Sequence, residues 1–270
     1  MALVFPSGPH DLPIVVRLRR AEPERDPAHP LRGHSSPPRR HDSPQATTAY
    51  LTFPRLFKEQ EHLVSVHTAL ILAGGESRRF GGPKALVEIA GRPLIVHVAD
   101  VMSSLADETI VSVEGPEGEA PIRSILPGVG FVSDESHGRG PIEGFRVGFR
   151  AARGDVVLVA PCDAPFLRPS VYRLLLELLG EHDAAVPELE VLDPVRAVYR
   201  RDRVLEVLDA SRTVRSPSSL VERLDFVSVD REQLRGVDPD LSSFLDVNTR
   251  TDLDEVLQKP QSHEDRHGPG

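Results

Sequence analysis

ALILAGGESRRFGGPK, residues 69–84, is the stretch around which the rest of this chain is organised. Its apolar start predicts a strand, and the paired glycines that follow predict a loop whose backbone can approach a ligand closely. The loop carries Arg78 and Arg79 and ends on Lys84. Backbone amides between glycines, with cations nearby, are typical of a phosphate-binding site. We therefore predict a strand that leads into a phosphate-binding loop.

Lys84 stands out because this chain otherwise uses arginine for positive charge. The sequence has 32 lysines and arginines, and the lysines among them are Lys58, Lys84 and Lys259. A compact ammonium group and a planar guanidinium bind oxygen anions differently. The lysine at the end of the glycine loop therefore indicates a specific role in that loop.

Two common phosphate-binding motifs are excluded by the spacing of this loop. A P-loop ends on Gly-Lys followed by Ser or Thr, whereas Lys84 follows Pro83 and precedes Ala85. The dinucleotide fingerprint needs two glycines separated by one residue, whereas Gly74 and Gly75 are adjacent. The loop must therefore bind phosphate in another way.

Bulk composition narrows the possible functions. The net charge of −9 argues against nonspecific binding to nucleic acid or to anionic lipid. The 270 residues contain neither an apolar run long enough to span a membrane nor a basic-then-apolar export signal. The single cysteine, Cys162, cannot form an internal disulfide. We expect a cytoplasmic protein that binds neither nucleic acid nor membrane.

Composition also predicts where the folded domain begins and ends. Residues 1–65 hold ten of the 25 prolines and five of the 11 histidines, without any sustained apolar period. Such sequence buries too little apolar surface to offset the entropy of ordering it. We predict a disordered Pro/Arg/His-rich extension over 1–65, a folded domain over 66–258 and a disordered tail over 259–270.

Strand and helix patterns alternate along the predicted domain. Apolar runs predict strands at 69–72, 109–113, 130–132 and 156–160. Helical spacing of apolar residues predicts helices at 93–105, 141–152 and 169–179. This alternation predicts an α/β fold with three layers, a mostly parallel sheet with helices on both faces, of the Rossmann-like kind.

Ligands of such sheets bind beyond the carboxyl ends of the strands, so the loops there should carry the chemistry. Asp134 and Glu135 follow one predicted strand, and Asp163 follows another, between Pro161 and Pro165. A carboxylate near a phosphate loop can hold Mg²⁺, which prefers carboxylate, phosphate and water oxygens. We predict that Asp163 is the metal ligand. No histidine near Cys162 in sequence could activate it, so it is predicted to be a small buried residue.

The second half of the domain is harder to interpret. Residues 186–199 alternate in polarity, which predicts either strands that cover the site or a sheet edge. Arg212 and Arg215 either bind the phosphate of an acceptor or form a solvated helix start. Residues 251–257 predict a closing helix.

Four stretches, in this order, resemble the molybdenum cofactor guanylyltransferases, a family of nucleotidyltransferases that attach a nucleoside monophosphate to a phosphorylated acceptor. They are LAGGESRRFGGPK at 72–84, GPIEG at 140–144, PCDAPF at 161–166 and DVNT at 246–249. Glu143 and Arg250 depart from the commonest form of this pattern.

The resemblance implies a role for each matching residue. Lys84, Arg79 and Asp163 would act on the phosphates, with Asp163 holding Mg²⁺. Asp246 and Asn248 would line the acceptor side, where Arg212 and Arg215 are also candidates. The nucleotide would be bound by Leu72, Ala73, Gly74, Gly75, Lys84, Asp134 and Asp163.

The implied reaction transfers GMP from GTP to the phosphate of the molybdenum-molybdopterin cofactor, releases pyrophosphate and makes the guanine dinucleotide form of the cofactor. GTP, this acceptor and Mg²⁺ are the expected ligands, and transient contact with other cofactor-biosynthesis proteins or apo-molybdoenzymes is expected. Three alternatives stay open: a molybdenum cofactor cytidylyltransferase, a cobinamide-phosphate guanylyltransferase, and a noncatalytic nucleotide-binding regulator.

Overall fold

The computed structural model describes residues 2–4, 15–19, 66–74, 83–134, 140–211 and 213–247, with the backbone alone at 2–4, 15–19, 116, 117 and 134. The chain divides into two units, Met1–Ala21 with Ser65–Gly270, and Glu22–Val64. All described residues belong to the first unit, and the account below concerns that unit. None of its described helices is both long and apolar enough to cross a membrane.

A mostly parallel sheet forms the middle layer of the described fold. Its strand order is β1-β2-β11-β9-β10-β8-β3-β6-β7. β10 runs antiparallel to both of its neighbours, and the strands from β11 to β7 otherwise run parallel. The strands of this sheet are β1 (Ala2–Val4), β2 (Val15–Arg19), β3 (His67–Leu72), β6 (Glu108–Glu114), β7 (Gly130–Asp134), β8 (Val156–Pro161), β9 (Ala184–Glu188), β10 (Val198–Arg200) and β11 (Phe226–Asp230), and a separate hairpin is formed by β4 (Glu88–Ile89) and β5 (Arg92–Pro93).

Helices cover both faces of this sheet, which completes three layers. On one face, Ile95 of α1 and Leu175 of α4 pack in a cluster with Ile71. On the other face, Phe145 of α3 packs in a cluster with Leu70. The helices are α1 (Leu94–Ser103), α2 (Gly115–Arg123), α3 (Pro141–Ala151), α4 (Pro169–Leu179), α5 (Arg201–Ala210), α6 (Pro217–Val221) and α7 (Arg231–Val237), and 3₁₀ turns lie at Lys84–Leu86 and Ser242–Phe244.

The predicted fold class is confirmed. Each of the four predicted strands is present as β3, β6, β7 or β8, and the three predicted helices are α1, α3 and α4. β3 and β8 lie in the centre, and their side chains are buried on both faces, which is why they are apolar almost throughout.

Residues 186–199 are not an edge of the sheet. β9 and β10 fall within or next to this stretch, and both are internal strands with buried side chains. The alternating polarity of this stretch lies mostly in the connection between them. That connection follows the carboxyl end of β9, so it lies at the same edge of the sheet as the phosphate loop.

Two short segments of residues 1–65, predicted to have no regular structure, are strands of the sheet. β2 pairs antiparallel with β11, and β1 pairs antiparallel with β2. Three of the five residues of VVRLR at Val15–Arg19 are apolar, but a stretch this short gave no sustained period in the sequence. The boundaries at 65/66 and 258/259 stay predictions, and the closing helix at 251–257 lies outside the described residues.

Gly154, at the amino end of β8, fits because it lacks a side chain. A Cβ atom there would lie 2.5 Å from the carbonyl oxygen of Val66 and 2.7 Å from the backbone nitrogen of Thr68. Backbone atoms paired in a sheet cannot retreat, so Gly154→Ala should lower the free energy of unfolding by about 3 kcal/mol. Urea unfolding measures this change. Gly236→Ala is the matched control, because no atom lies within 4 Å of its added Cβ. A loss of equal size in both variants would contradict the explanation.

Candidate active site

The site lies at the carboxyl edge of the sheet, where β3, β6 and β8 end together. The backbone nitrogen of Ala73 donates to the carbonyl of Ser112 at 2.8 Å, and that of Cys162 donates to the carbonyl of Leu72 at 3.0 Å. These bonds fix the point at which the loop after β3 leaves the sheet. Gly74, the next residue, is exposed there. The described start of the glycine loop is therefore held beside the loop that carries Asp163.

Lys84 and Asp163 form an ion pair, although 79 residues separate them in sequence. Lys84 begins a 3₁₀ turn, and the next residue, Ala85, is buried in the core and anchors that turn. The two charged side chains are only 19% and 17% exposed. The structure thus brings the predicted phosphate-binding cation and the predicted metal-binding carboxylate into direct contact.

The backbone of Asp163 is fixed by a hydrogen bond from Val247. The carbonyl oxygen of Asp163 accepts from the backbone nitrogen of Val247 at 3.0 Å. Val247 is fully buried with Ile89 and Leu94, and Phe166 packs against this small cluster. This apolar cluster therefore joins the Asp163 turn to the β4–β5 hairpin and to Val247.

Asp246 precedes Val247, which bonds to the Asp163 carbonyl, and its carboxylate is bound by Arg196. Burial raises the pKa of Asp246, and the negative charge of Asp163 raises it further, while Arg196 acts in the opposite direction. Burial alone would lower the pKa of Arg196, but the charges of Asp193 and Asp246 raise it above its usual value. Asp193 accepts from Arg196 Nη1 at 2.7 Å, and Asp246 accepts from Nη2.

The described donors of this edge fit a magnesium ion that also binds substrate. No group of three or more histidine, cysteine, aspartate or glutamate side chains could enclose a metal within the described ranges. Asp163 instead supplies one carboxylate, and Asp246 supplies a second from the residue next to Val247, whose backbone nitrogen donates to the Asp163 carbonyl. Mg²⁺ usually binds through one or two carboxylates and takes its remaining ligands from phosphate and water. This donor set therefore suits a metal ion that arrives with a triphosphate.

Cys162 is the small buried residue that the sequence predicted. Its side chain lies in the core, and burial together with the charge of Asp163 raises the pKa of its thiol to about 12. A thiol with this pKa is protonated at neutral pH, whereas the thiolate is the nucleophile. Cys162 therefore has no role as an attacking group.

Comparison with known proteins identifies the family. The model of the MobA-like NTP transferase domain matches residues 69–227, more than half of the chain. The chain belongs to the MobA-like NTP transferase family. Membership makes it a nucleotidyltransferase, as residues 72–84 predicted, and the resemblance stated above is confirmed.

Individual relatives of this MobA-like chain agree with the family model. The molybdenum cofactor guanylyltransferase of Desulfosudis oleivorans is 34% identical over 196 residues, which cover 70% of this chain and 93% of that protein. The protein of the same name from Syntrophotalea carbinolica is 30% identical and covers 75% of this chain and 92% of its own length.

A solved structure extends the likeness to three dimensions. Molybdopterin-guanine dinucleotide biosynthesis protein A from Archaeoglobus fulgidus superimposes on this MobA-like chain with a TM-score of 0.60 and 28% identity, over 70% of this chain and 95% of that one. A synthase of 4-diphosphocytidyl-2C-methyl-D-erythritol from Anaerococcus prevotii, at 17% identity and a TM-score of 0.56, shares the fold.

The structure places some of the predicted residues of this MobA-like chain at the site. Leu72, Ala73, Gly74, Lys84, Asp163 and Asp246 all lie at the carboxyl edge of the sheet. Asp134 ends β7 on the same edge, and its side chain is not described. Predicted residues outside the described ranges are Gly75, Arg79, Arg212 and Asn248.

Arg215, a predicted acceptor-binding residue, is exposed. The residue before it, Val214, is buried on the α3 face of the sheet, and its carbonyl accepts from Arg146 Nη2 at 3.3 Å. Ala85, beside Lys84, packs on the opposite face. A role for Arg215 in acceptor binding stays a prediction.

Sequence reasoning missed Arg196 and Asp193, which hold Asp246 in place. The missed signal is the spacing within DPVR, because Asp193 and Arg196 stand three residues apart in a turn. Such a pair gives no hint of a third partner 50 residues further along the chain.

Proposed function

We propose that this chain transfers GMP from GTP to the phosphate of the molybdenum-molybdopterin cofactor, with release of pyrophosphate. The observation that carries the proposal is the Lys84–Asp163 pair at the carboxyl edge of the sheet. A cation and a metal-binding carboxylate at one point suit a bound triphosphate. Relatives named molybdenum cofactor guanylyltransferase, matched over nearly their whole length, support the choice of GTP and of this acceptor.

The chemistry needs no nucleophile from the protein. The second pKa of a phosphate monoester is near 6, so the acceptor phosphate is largely dianionic at neutral pH. One of its oxygens attacks the α-phosphorus of GTP, and the bond from that phosphorus to the bridging oxygen of pyrophosphate breaks. The raised pKa of Cys162 agrees with a mechanism in which the protein contributes no attacking group.

The protein would act by positioning and by neutralising charge. Lys84 would bind the phosphates of GTP, because its ammonium already lies at Asp163, a carboxylate that a nucleotide-bound cation would approach. Asp163 and Asp246 would hold Mg²⁺, which supplies positive charge to the triphosphate when it is bound. Positioning alone can account for a large part of the rate of a phosphoryl-transfer enzyme.

The remaining roles are proposed from the family pattern. The backbone of Leu72 to Gly75 would contact the nucleotide, Asp134 its guanine base, and Arg79 its phosphates. Asn248 and Asp246 are proposed on the acceptor side from the same pattern, and Arg212 and Arg215 are proposed there as cations that could bind the phosphate of the acceptor. A cytoplasmic location and transient contacts with other cofactor-biosynthesis proteins belong to the same proposal.

One assay tests the reaction and its substrates together. Pyrophosphate release is measured with Mg-GTP, Mg-CTP or Mg-ATP against molybdenum-molybdopterin or cobinamide phosphate, and the product is weighed by mass spectrometry. We expect release with GTP and the molybdenum cofactor, and none when the acceptor has lost its phosphate. Release with CTP, or with cobinamide phosphate as the preferred acceptor, would reassign the substrate. Nucleotide binding without release in any combination would overturn the enzymatic proposal.

A further inference from the structure

Arg196 is a buried charge placed between two carboxylates. The residue is 4% exposed and lies in the connection between β9 and β10. Its Nη1 donates to Asp193 Oδ2 at 2.7 Å, and its Nη2 donates to Asp246. One guanidinium therefore joins the loop after β9 to the segment that lies beside Asp163.

This arrangement is a poor device for stability. Removing charges from water is costly, so a buried ion pair is weak evidence of a stabilising role. The Nε atom of Arg196 is buried and has no hydrogen-bond partner in the described part of the chain. A buried donor without a partner calls for an explanation other than packing. Arg196 thus binds two carboxylates through Nη1 and Nη2, while Nε has no hydrogen-bond partner in the described part of the chain.

Asp193 is a fixed anchor for this guanidinium. Its backbone nitrogen donates to the carbonyl of Pro187, in β9, at 2.8 Å. Its Oδ1 accepts from the backbone nitrogen of Val195 at 3.2 Å. β9 fixes the backbone of Asp193, and Asp193 fixes the guanidinium of Arg196. Arg196 in turn fixes the side chain of Asp246.

Arg196 binds the carboxylate of Asp246 directly. The Asp246 side chain is 39% exposed and is bound by Arg196. Asp163 lies between Pro161 and Pro165, and its backbone carries the bond from Val247. Its position is thus set by the main chain, whereas the direction of the Asp246 carboxylate is set by a side chain.

We propose that Arg196 is a positioning residue that holds the Asp246 carboxylate beside Asp163, so that both face the cation bound with the triphosphate. The inference rests on the magnesium site of the proposed function. Arg196 itself would touch neither the metal nor the substrate.

Replacing Arg196 should change cation affinity in opposite directions, depending on whether the residue contributes only its charge or positions Asp246. Removing a positive charge near two carboxylates would strengthen cation binding if charge were its only contribution. Removing the group that orients Asp246 would weaken it, and loss of such supporting partners typically costs 10- to 100-fold in metal affinity. Arg196→Lys keeps the charge but cannot bind two carboxylates with a planar fork. The proposal therefore predicts weaker binding in both Arg196→Met and Arg196→Lys.

Mn²⁺ binding, measured by electron paramagnetic resonance with α,β-methylene GTP present, tests this inference without turnover. We expect about tenfold weaker Mn²⁺ binding in Arg196→Met and Arg196→Lys. In assays, a higher Mg²⁺ concentration should restore most of the turnover. Arg200→Met is the matched control, because Arg200 lies in β10 and donates from Nε to the carbonyl of His182 at 3.0 Å, on the opposite edge of the sheet. Its Mn²⁺ affinity should not change.

Other outcomes would contradict either the role of Arg196 or the metal site on which that role depends. Unchanged or tighter Mn²⁺ binding in both Arg196 variants would show that Arg196 does not position Asp246. Absence of Mn²⁺ binding by the parent protein, or equal binding by Asp163→Asn, would remove the metal site and the inference with it. If Arg196→Met does not fold, Asp193→Asn releases the anchor of Arg196 and should weaken Mn²⁺ binding in the same direction.

Discussion

Asp163→Asn is expected to lower turnover by about 10²- to 10³-fold while the fold survives. Asparagine has the shape of aspartate but lacks the charge that would bind Mg²⁺ and that pairs with Lys84. Loss of one preorganised electrostatic contact at a reaction centre has effects of this size. Initial rates of pyrophosphate release at saturating GTP and acceptor measure the change.

The fold should survive because the main-chain bonds of this turn do not use the Asp163 side chain. The bond from Val247 to the Asp163 carbonyl, and that from Cys162 to Leu72, are both made by backbone atoms. Because the substitution leaves the largely buried Lys84 ammonium without its anion, the free energy of unfolding in urea should fall by about 3 kcal/mol, which a folded domain of this size can lose without unfolding.

Asp202→Asn is the control for Asp163→Asn, since Asp202 is 81% exposed on α5 and pairs with its neighbour Arg201. Turnover of the control should be unchanged. Near-normal turnover in Asp163→Asn would remove this residue from the site.

Lys84→Ala should lower turnover by about 10²-fold and at the same time strengthen the binding of Mn²⁺. The turnover falls because the phosphates lose a cation. Mn²⁺ binds more tightly because Lys84 no longer competes for the carboxylate of Asp163. Lys84→Arg should recover part of the turnover, since it keeps the charge but not the shape.

The opposite signs separate a role at the phosphates from simple support of Asp163. Turnover is read from pyrophosphate release, and Mn²⁺ affinity is read from electron paramagnetic resonance. If Lys84 only held Asp163 in place, both quantities would fall together in Lys84→Ala. That result would contradict the assignment of Lys84 to the triphosphate.

The parts of this site that could be predicted from the sequence are those specified locally. Lys84 follows a glycine loop, and Asp163 follows an apolar strand and lies between two prolines. The role of each could therefore be predicted from the residues next to it in the sequence. The parallel sheet rule then predicted that the two would meet at one edge, and the ion pair confirms it.

The parts that could not be predicted depend on distant pairing. Arg196 reaches Asp246 across 50 residues, and no local pattern in either segment signals the contact. The reversed direction of β10 was equally hidden, because a strand of three residues, of which Val198 and Tyr199 are buried, carries no sign of its direction in the sequence. α2 was missed because GPEGEAPIR is largely polar and carries a proline inside the helix.

Diffraction from crystals grown with Mn²⁺ and α,β-methylene GTP would show directly whether Asp163 binds the metal and Lys84 the triphosphate. The anomalous signal of Mn²⁺ locates the metal without reference to activity. We expect a peak at coordination distance, about 2.1 Å, from a carboxylate oxygen of Asp163, with Lys84 at the phosphates. A metal bound to the triphosphate alone, with Lys84 still paired to Asp163, would contradict this expectation.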